Sequence, residues 1–247
     1  MKPEIQHVDD SAAAFRAAAE HFIQAAQEAV AARGVFRVAL GGGSTPKGMY
    51  ALMATDPGLR SQIAWDKIQF YWGDERHVPP DHGDSNYKMA NDAMLSKIPV
   101  AADRIHRILS ENPDAATAAV AYEKEVLSSF GGAAGAVPRF DLILLGMGPD
   151  GHTASLFPGT RALQETERLV VSNWVGKFYT QRITFTARLL NNAAFVLFLV
   201  CGDDKAPALK AVLEGPFEPN QLPSQLIQPT DGRLVWMVDK KAAAMLG

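Results

Sequence analysis

Short apolar runs that end in a glycine-containing turn and then give way to a helix-like segment recur along this chain. Residues 35–40, 67–72 and 142–145 form such runs, and the four consecutive apolar residues of the third predict a strand buried on both faces. Strands that alternate with helices predict a mostly parallel sheet covered by helices on both faces. We therefore expect a doubly wound, Rossmann-like α/β fold that binds its ligand at the carboxyl edge of the sheet.

Hydrophobic spacing and turn residues predict the other elements. A long helix should run from Ser11 to Arg33, with Ser11 as its cap and Gly34 at its end. No repeat divides the chain, and residues 131–138 fit an ordinary loop, so we predict a single α/β domain over residues 1–247. Further helices are expected near residues 46–53, 86–97, 114–130 and 204–213 and at the C-terminus, and further strands near 169–174, 182–186, 195–201 and 234–238.

Composition excludes several classes of protein. The 247 residues are 47% hydrophobic, carry a net charge of -3 and contain no cluster of Lys and Arg, so we expect no nucleic-acid partner. No apolar run approaches the ~18 residues of a membrane span, and the start of the chain, with Glu4, Asp9 and Asp10, lacks a signal-peptide core. The single Cys201 cannot form an internal disulfide. A cytoplasmic protein without a membrane partner is expected, either a monomer or a small homo-oligomer.

The turn at residues 41–46, Gly-Gly-Gly-Ser-Thr-Pro, is the first candidate binding site. Bare backbone amides, two hydroxyl groups and the start of a helix together suit a phosphate group. A nucleoside-triphosphate loop is excluded, because Lys47 is not followed by Ser or Thr. A tight turn in which a hydroxyl only caps the helix is the alternative. The residues concerned are Gly42, Gly43, Ser44 and Thr45.

Two cations could reach the same ligand. Lys205 falls at the start of a predicted helix, where the helix dipole disfavours a cation unless an anion is bound beside it. Arg182 opens a predicted strand. For both residues, a solvent-exposed position is an equally good interpretation.

The turn at residues 146–152 carries Asp150 and His152. An acid and an imidazole in one turn suggest proton transfer, with His152 as the general base, although a surface histidine is the alternative. The glycines of this turn match the dinucleotide-binding pattern, but Pro158 leaves no room for the helix which that pattern requires. Pro149 also stands where the backbone should approach a pyrophosphate. We therefore expect no nicotinamide cofactor.

The charged triplet Asp74, Glu75 and Arg76 follows another predicted strand. It should lie at the same edge of the sheet, where a carboxylate and a guanidinium could face one ligand. A solvated loop is the alternative. The nearby His77 and His82 match no zinc spacing, so no metal is expected.

Four of these segments together resemble the 6-phosphogluconolactonases. They are residues 41–46, 72–79, 146–158 and 182–184, and the similarity extends over nearly the full length. The resemblance implies the fold shared with glucosamine-6-phosphate deaminases and ribose-5-phosphate isomerases. It also implies a cofactor-free hydrolase that converts a small sugar-phosphate lactone, 6-phospho-D-glucono-1,5-lactone, to 6-phospho-D-gluconate in the second step of the pentose phosphate pathway.

The same resemblance implies roles for individual residues. His152 would activate water, and Asp74 and Asp150 would line the sugar end of the site. One departure is that residues 177–181 lack the prolines expected in this family, which leaves the geometry of this loop and the approach of Arg182 open. Contacts to the phosphate and the shape of its loop would come from Gly42, Gly43, Ser44, Thr45, Arg76, Arg182 and Lys205.

Two other functions remain open. Glucosamine-6-phosphate deaminases resemble the chain as far as five residues past the histidine, where they carry a Glu that assists ring opening. This chain has Phe157 there, and an apolar ring cannot relay a proton. A sugar-phosphate-sensing domain without catalysis would require an N-terminal DNA-binding module. Here the helix at residues 11–33 leads directly into the first predicted strand.

Overall fold

A computed structural model describes residues 3–131 and 135–247 of the chain. Its elements follow the predicted alternation of strands and helices. The α-helices are α1 (Ser11–Arg33), α2 (Ser44–Thr55), α3 (Pro57–Arg60), α4 (Asn86–Ala93), α5 (Ala115–Phe130), α6 (Ala187–Leu190) and α7 (Ala206–Glu214). The strands are β1 (Glu4–Val8), β2 (Phe36–Leu40), β3 (Ile68–Trp72), β4 (Asp74–Arg76), β5 (Leu142–Leu145), β6 (Val170–Val175), β7 (Thr180–Phe185), β8 (Phe195–Val200) and β9 (Arg233–Asp239).

Six parallel strands form the central sheet, in the order β1-β9-β8-β5-β2-β3. This sheet and its flanking helices confirm the predicted α/β fold. The chain goes from β2 to β3 on one side and later places β5 on the other side, so the direction of strand addition reverses between β2 and β5. In open α/β sheets the ligand binds beyond the carboxyl ends of the strands at such a switch point.

A second sheet of three antiparallel strands has the order β4-β7-β6. It was not predicted, because the polar triplet at residues 74–76 looks like a loop. Pairing with β7 makes it a strand, in which Asp74 lies opposite Thr184 and Arg76 lies opposite Arg182. Since only Gly73 separates β3 from β4, the small sheet begins at the carboxyl edge of the large one.

The helices pack in two groups. α1 packs against α2, which also contacts α4, whereas α5 packs against β6 and β7 of the small sheet. Inside the central sheet all six residues of β8 are buried, and Phe198 on this strand stacks on Trp236 of β9 with ring centroids 3.8 Å apart. Each such fully buried large side chain contributes roughly 1.5–3 kcal/mol to stability. The glycine turns follow β2 and β5 of the same sheet, and all four residues of β5 are buried as well.

The helix ends differ from the prediction in detail. α1 spans the predicted residues, but Asp10 rather than Ser11 caps it, and its carboxylate accepts a hydrogen bond from the Ala13 amide at 2.9 Å. Asp and Ser are equally good caps, so the sequence could not choose between neighbours. Gly34 ends the helix with φ 73° as expected. α2 begins at Ser44, earlier than predicted, which places both hydroxyl residues of the glycine turn inside the helix.

Two further differences concern the later chain. The predicted C-terminal helix is wrong, because residues 240–245 form turns in which the Ala243 amide donates to the Asp239 carbonyl at 2.9 Å. The helix predicted at 86–97 ends at Ala93 and continues as the short 3-10 turn Leu95–Lys97. The loop expected at residues 131–138 lies partly outside the described residues. The prediction of a single domain stays a prediction.

Within residues 3–131 and 135–247, none of the helices combines the length and the apolar character that crossing a membrane would require.

Candidate functional site

A cavity of about 290 Å³ lies at the carboxyl edge of the central sheet, beside the switch point between β2 and β5. The turns after β2, β3, β5 and β8 form its walls, together with side chains from β4 and β7. Of the predicted site residues, Asp150 stands behind the wall, in contact with His152. The other predicted residues line the cavity itself: Gly42, Gly43, Ser44, Thr45, Asp74, Arg76, His152, Arg182 and Lys205.

The first glycine turn connects β2 directly to α2. Gly43 has φ 102°, a backbone conformation that favours glycine, and stands at the cap position of the helix. No side-chain hydrogen bond caps this helix, so the alternative of a hydroxyl that only serves as a cap is wrong. The first N–H groups of α2 lie at the cavity, where the positive end of the helix dipole favours an anion.

Two arginines stand side by side above this turn. Arg76 and Arg182 lie directly opposite each other on β4 and β7. Within the described chain, both Nε atoms are buried without a hydrogen-bond partner. Burial, together with the charge of Arg76, lowers the pKa of the Arg182 guanidinium. Like charges opposite each other on paired strands repel, so this arrangement is suited to a bound anion.

The second glycine turn, after β5, closes on itself instead of starting a helix. The Gly148 amide donates to the His152 carbonyl at 2.9 Å, and the Gly151 amide donates to the Gly148 carbonyl at 3.0 Å. The Thr153 hydroxyl donates to the Gly146 carbonyl at 2.8 Å. These bonds fix the position of the His152 side chain.

The His152 ring is held by a carboxylate. Its Nδ1 lies 2.5 Å from Oδ1 of Asp150, and Oδ2 of Asp150 accepts from Lys177 Nζ at 2.9 Å. Burial alone would raise the pKa of the Asp150 carboxyl, but the bonds to His152 and Lys177 outweigh it and hold this pKa well below its usual range. Because an ionised carboxylate only accepts hydrogen bonds, Nδ1 carries a proton, and in the neutral form of the ring the lone pair lies on Nε2.

Aromatic rings cover the histidine. Phe157 is buried and stacks on His152 with centroids 4.0 Å apart and an angle of 20° between the rings. Phe178 meets Phe157 edge-on at 5.8 Å, and the Arg182 guanidinium lies 5.6 Å from the Phe178 ring. The segment without the expected prolines is therefore a hairpin tip that brings Lys177 and Phe178 to the site.

Glu75 has a different position and role from Asp74 and Arg76, its neighbours in the charged triplet. Its buried carboxylate accepts from the amides of Asn86 and Tyr87 at the start of α4, at 2.7 and 2.8 Å. Burial raises the pKa of this carboxyl. Asp74 and Arg76 line the cavity as expected, whereas Glu75 anchors α4 behind it.

Asn86 and Ser155 belong to the site but were not predicted. Asn86 lines the cavity and donates from Nδ2 to the backbone carbonyl of Asp74 at 2.9 Å. The Ser155 hydroxyl donates to Oδ2 of Asp74 at 2.7 Å. Asn86 and Ser155 lie 12 and 81 residues from Asp74 in sequence, and the fold brings the three side chains together.

Lys205, a predicted contact, and two residues that were not predicted as site residues, Cys201 and His77, complete the surroundings of the cavity. Lys205 reaches the cavity from the turn after β8, where it pairs with Asp204. Cys201 also lines the cavity, but burial raises the pKa of its thiol to about 12. His77 is bonded to the Asn112 carbonyl at 2.7 Å. Within the described ranges, no group of three or more His, Cys, Asp or Glu side chains is arranged to hold a metal ion.

Comparison with known proteins finds sequences and structures similar to this chain. The profile of the family described as glucosamine-6-phosphate isomerases/6-phosphogluconolactonase matches residues 9–236. A 6-phosphogluconolactonase of Nostoc sp. (strain PCC 7120 / SAG 25.82 / UTEX 2576) is 40% identical over 247 residues, covering 100% of this chain and 99% of the relative.

Two solved structures extend the comparison. The 6-phosphogluconolactonase of Trypanosoma brucei superposes with a TM-score of 0.86 at 27% identity, covering 100% of this chain and 99% of the other. A monomeric glucosamine-6-phosphate deaminase superposes with a TM-score of 0.81 at 19% identity, covering 98% and 99% of the two chains. The second likeness concerns the fold alone.

Proposed function

Because the chain belongs to the glucosamine-6-phosphate isomerase/6-phosphogluconolactonase family, we propose that it hydrolyses 6-phospho-D-glucono-1,5-lactone to 6-phospho-D-gluconate. The observation that carries this proposal is the placement of His152, backed by Asp150, in the same cavity as a phosphate-type loop. A cytoplasmic location, and a monomeric or small oligomeric state, stay predictions.

The phosphate group of the substrate would bind at the first glycine turn. The start of α2 supplies backbone N–H groups and a favourable dipole, and Arg76 and Arg182 supply charge and unpaired Nε donors. Lys205 adds a further cation at the rim. Binding at this remote group orients the lactone before any bond is made or broken.

The reaction itself would take place at His152. Its Nε2 removes a proton from water while the water oxygen attacks C1 of the lactone, giving a tetrahedral oxyanion. When this intermediate collapses, the bond between C1 and the ring oxygen breaks, and the imidazolium returns its proton to that oxygen. The charge of Asp150 stabilises the imidazolium in between.

The oxyanion needs a donor, and the turn at residues 146–151 has few to offer. Pro149 has no N–H group, and the amides of Gly148 and Gly151 already donate within the turn. The donor is therefore either another amide of this turn or a cationic side chain of the cavity.

Phe157 argues against deamination of glucosamine 6-phosphate. The residue is buried and stacks flat on His152, so the position next to the general base holds an apolar ring instead of a carboxylate. Without a second acid at this position, the histidine has no partner for the extra proton transfer of ring opening.

A pH-stat assay on freshly prepared 6-phosphogluconolactone tests the proposal. The wild-type protein should accelerate hydrolysis far above the spontaneous rate, and His152→Ala should lower kcat by roughly 10²- to 10⁴-fold because the general base is lost. Retention of near-normal rates by His152→Ala would show that the histidine is not the base. Release of ammonia from glucosamine 6-phosphate, or tight binding without turnover, would favour the other two functions.

A further inference from the structure

Asn86 is a buried amide in the wall of the cavity. It is the first residue of α4, and the residue is only 2% exposed. The backbone amide of Asn86 donates to Glu75 Oε1 at 2.7 Å, so the position of the residue is fixed from behind. Its side chain lies between the first glycine turn and Asp74, where sugar and phosphate would meet.

The orientation of this amide follows from its partners. Nδ2 donates to the Asp74 carbonyl at 2.9 Å and approaches Oδ1 of Asp74 at 3.3 Å. Both partners are acceptors, so the nitrogen must face β4 and the oxygen must face away from it. Oδ1 lies against Gly42, since a Cβ atom added to Gly42 would stand 2.1 Å from it. Gly42 is therefore required partly to make room for the Asn86 carboxamide.

Asn86 and Asp74 thus bring two hydrogen-bond acceptors to the wall of the cavity. No residue in the described chain donates a hydrogen bond to Oδ1 of Asn86, although its Nδ2 is satisfied. Asp74 is 6% exposed and is held on its other oxygen by Ser155 at 2.7 Å. Acceptors in the wall of a cavity are satisfied by donors from a ligand, and a site built from them discriminates against a ligand without hydroxyl groups.

We propose that Asn86 is a specificity-determining residue, whose Oδ1 accepts a hydrogen bond from a hydroxyl group of the substrate ring beside Asp74. Its Nδ2 holds Asp74 as a second acceptor for the same polyol. The identity of the sugar rests on the proposed function, whereas binding of a phosphorylated polyol does not. Asn86 would then recognise a hydroxyl group on the carbon chain that joins the phosphate to the reacting carbonyl.

Calorimetric titration tests this with two ligands, 6-phosphogluconate and inorganic phosphate. Asn86→Ala should weaken 6-phosphogluconate about 10-fold, the effect of one lost hydrogen bond to a buried group, and change the affinity for phosphate by less than about 2-fold. Asn192→Ala is the matched control, because this amide also donates to two carbonyls, of Val137 and Pro138, at 2.9 and 3.1 Å, and does not line the cavity. The control should leave both affinities unchanged.

A ligand comparison on the wild-type protein does not depend on how the variant folds. 6-Phosphohexanoate keeps the phosphate and the carboxylate but lacks the hydroxyl groups, so it should bind more weakly than 6-phosphogluconate. The difference should shrink about 10-fold in Asn86→Ala. An equal loss for both ligands, or for inorganic phosphate as well, would mean that Asn86 only supports the fold, and the proposal would fall.

Asn86→Asp tests whether this side chain lies next to the phosphate loop. It keeps the size of the side chain but puts a carboxylate beside Gly42 and Asp74, so both 6-phosphogluconate and inorganic phosphate should bind at least about 10-fold more weakly. Unchanged phosphate binding would contradict a position next to the phosphate loop. Absence of lactone hydrolysis by the wild type would contradict the proposed function only, since these titrations measure binding.

Discussion

The two glycine turns of the site follow adjacent parallel strands, yet they do different work. The turn after β2 runs straight into α2 and leaves the first amides of that helix without a side-chain cap. In the turn after β5, the amides of Gly148 and Gly151 donate hydrogen bonds within the turn, and the turn presents the side chain of His152. Glycine permits both shapes, and the presence or absence of a following helix decides whether a turn offers free amides to an anion or presents a side chain.

The sharpest test of this difference is a methyl group placed in the second turn. At Gly148 an added Cβ would stand 2.1 Å from Cε1 and Nδ1 of His152, so the imidazole must move away from Asp150. Gly148→Ala should therefore lower kcat by roughly 10²-fold or more, because a misplaced base loses most of its effect. Steady-state kinetics measure the effect on kcat, and calorimetry measures the affinity for phosphate, so the contributions of the two turns can be distinguished.

The same substitution should leave inorganic phosphate affinity unchanged. Gly83→Ala serves as the control, since a Cβ at this glycine meets nothing within 4 Å. A change of phosphate affinity as large as that of kcat would mean that the turns are not independent.

The corresponding change in the first turn should act on binding. At Gly42 the added Cβ would meet Asn86 at 2.1 Å, and its displacement disturbs the wall between the loop and Asp74. Gly42→Ala should raise KM about 10-fold and change kcat less, because the base is untouched. Measured kinetics in which kcat falls and KM is unchanged would reverse the assignment of the two turns.

The smallest effect is expected at Lys177, which supports the second turn from outside. Its ion pair with Asp150 is more than half exposed on the lysine side, and such pairs contribute little. Lys177→Ala should lower kcat less than about 5-fold. His152 still bonds to Asp150 in this variant.

The pH profile completes that test. The pKa of Asp150 is lower in the folded state than in the unfolded chain. The carboxylate therefore stabilises the fold at every pH above the unfolded-state pKa, and this stabilisation is lost as the pH falls through the folded-state pKa. Between pH 7 and 5 the carboxylate stays ionised, and a single ionisation should describe the acid limb of kcat/KM. A second ionisation in this range, in wild type or Lys177→Ala, would contradict it.

Sequence predicted the parts of the site that depend on local pattern. Both turns, α1 and the parallel strands follow from glycine, apolar runs and helical spacing. β1 was missed because its partner β9 lies at the other end of the chain, where Glu4 pairs with Val235. β4 was missed because three polar residues become a strand only when β7 pairs with them.

The same distinction applies to side chains. His152 and Asp150 are two residues apart, so their contact could be foreseen. Asn86, Ser155 and Asp74 come from three separate segments, and no spacing indicates that they meet. The absent C-terminal helix is the opposite case, in which alanine-rich composition favours a helix but the chain forms turns after Asp239.

The facing arginines also affect the stability of the folded protein. Arg76 and Arg182 lie opposite each other on paired strands, where like charges repel, and among the described residues neither Nε atom has a hydrogen-bond partner. A ligand that binds only the folded chain stabilises it by mass action, and here it also removes this repulsion. If the proposed site binds an anion such as inorganic phosphate, we expect the bound anion to raise the melting temperature of the protein and to slow its proteolysis.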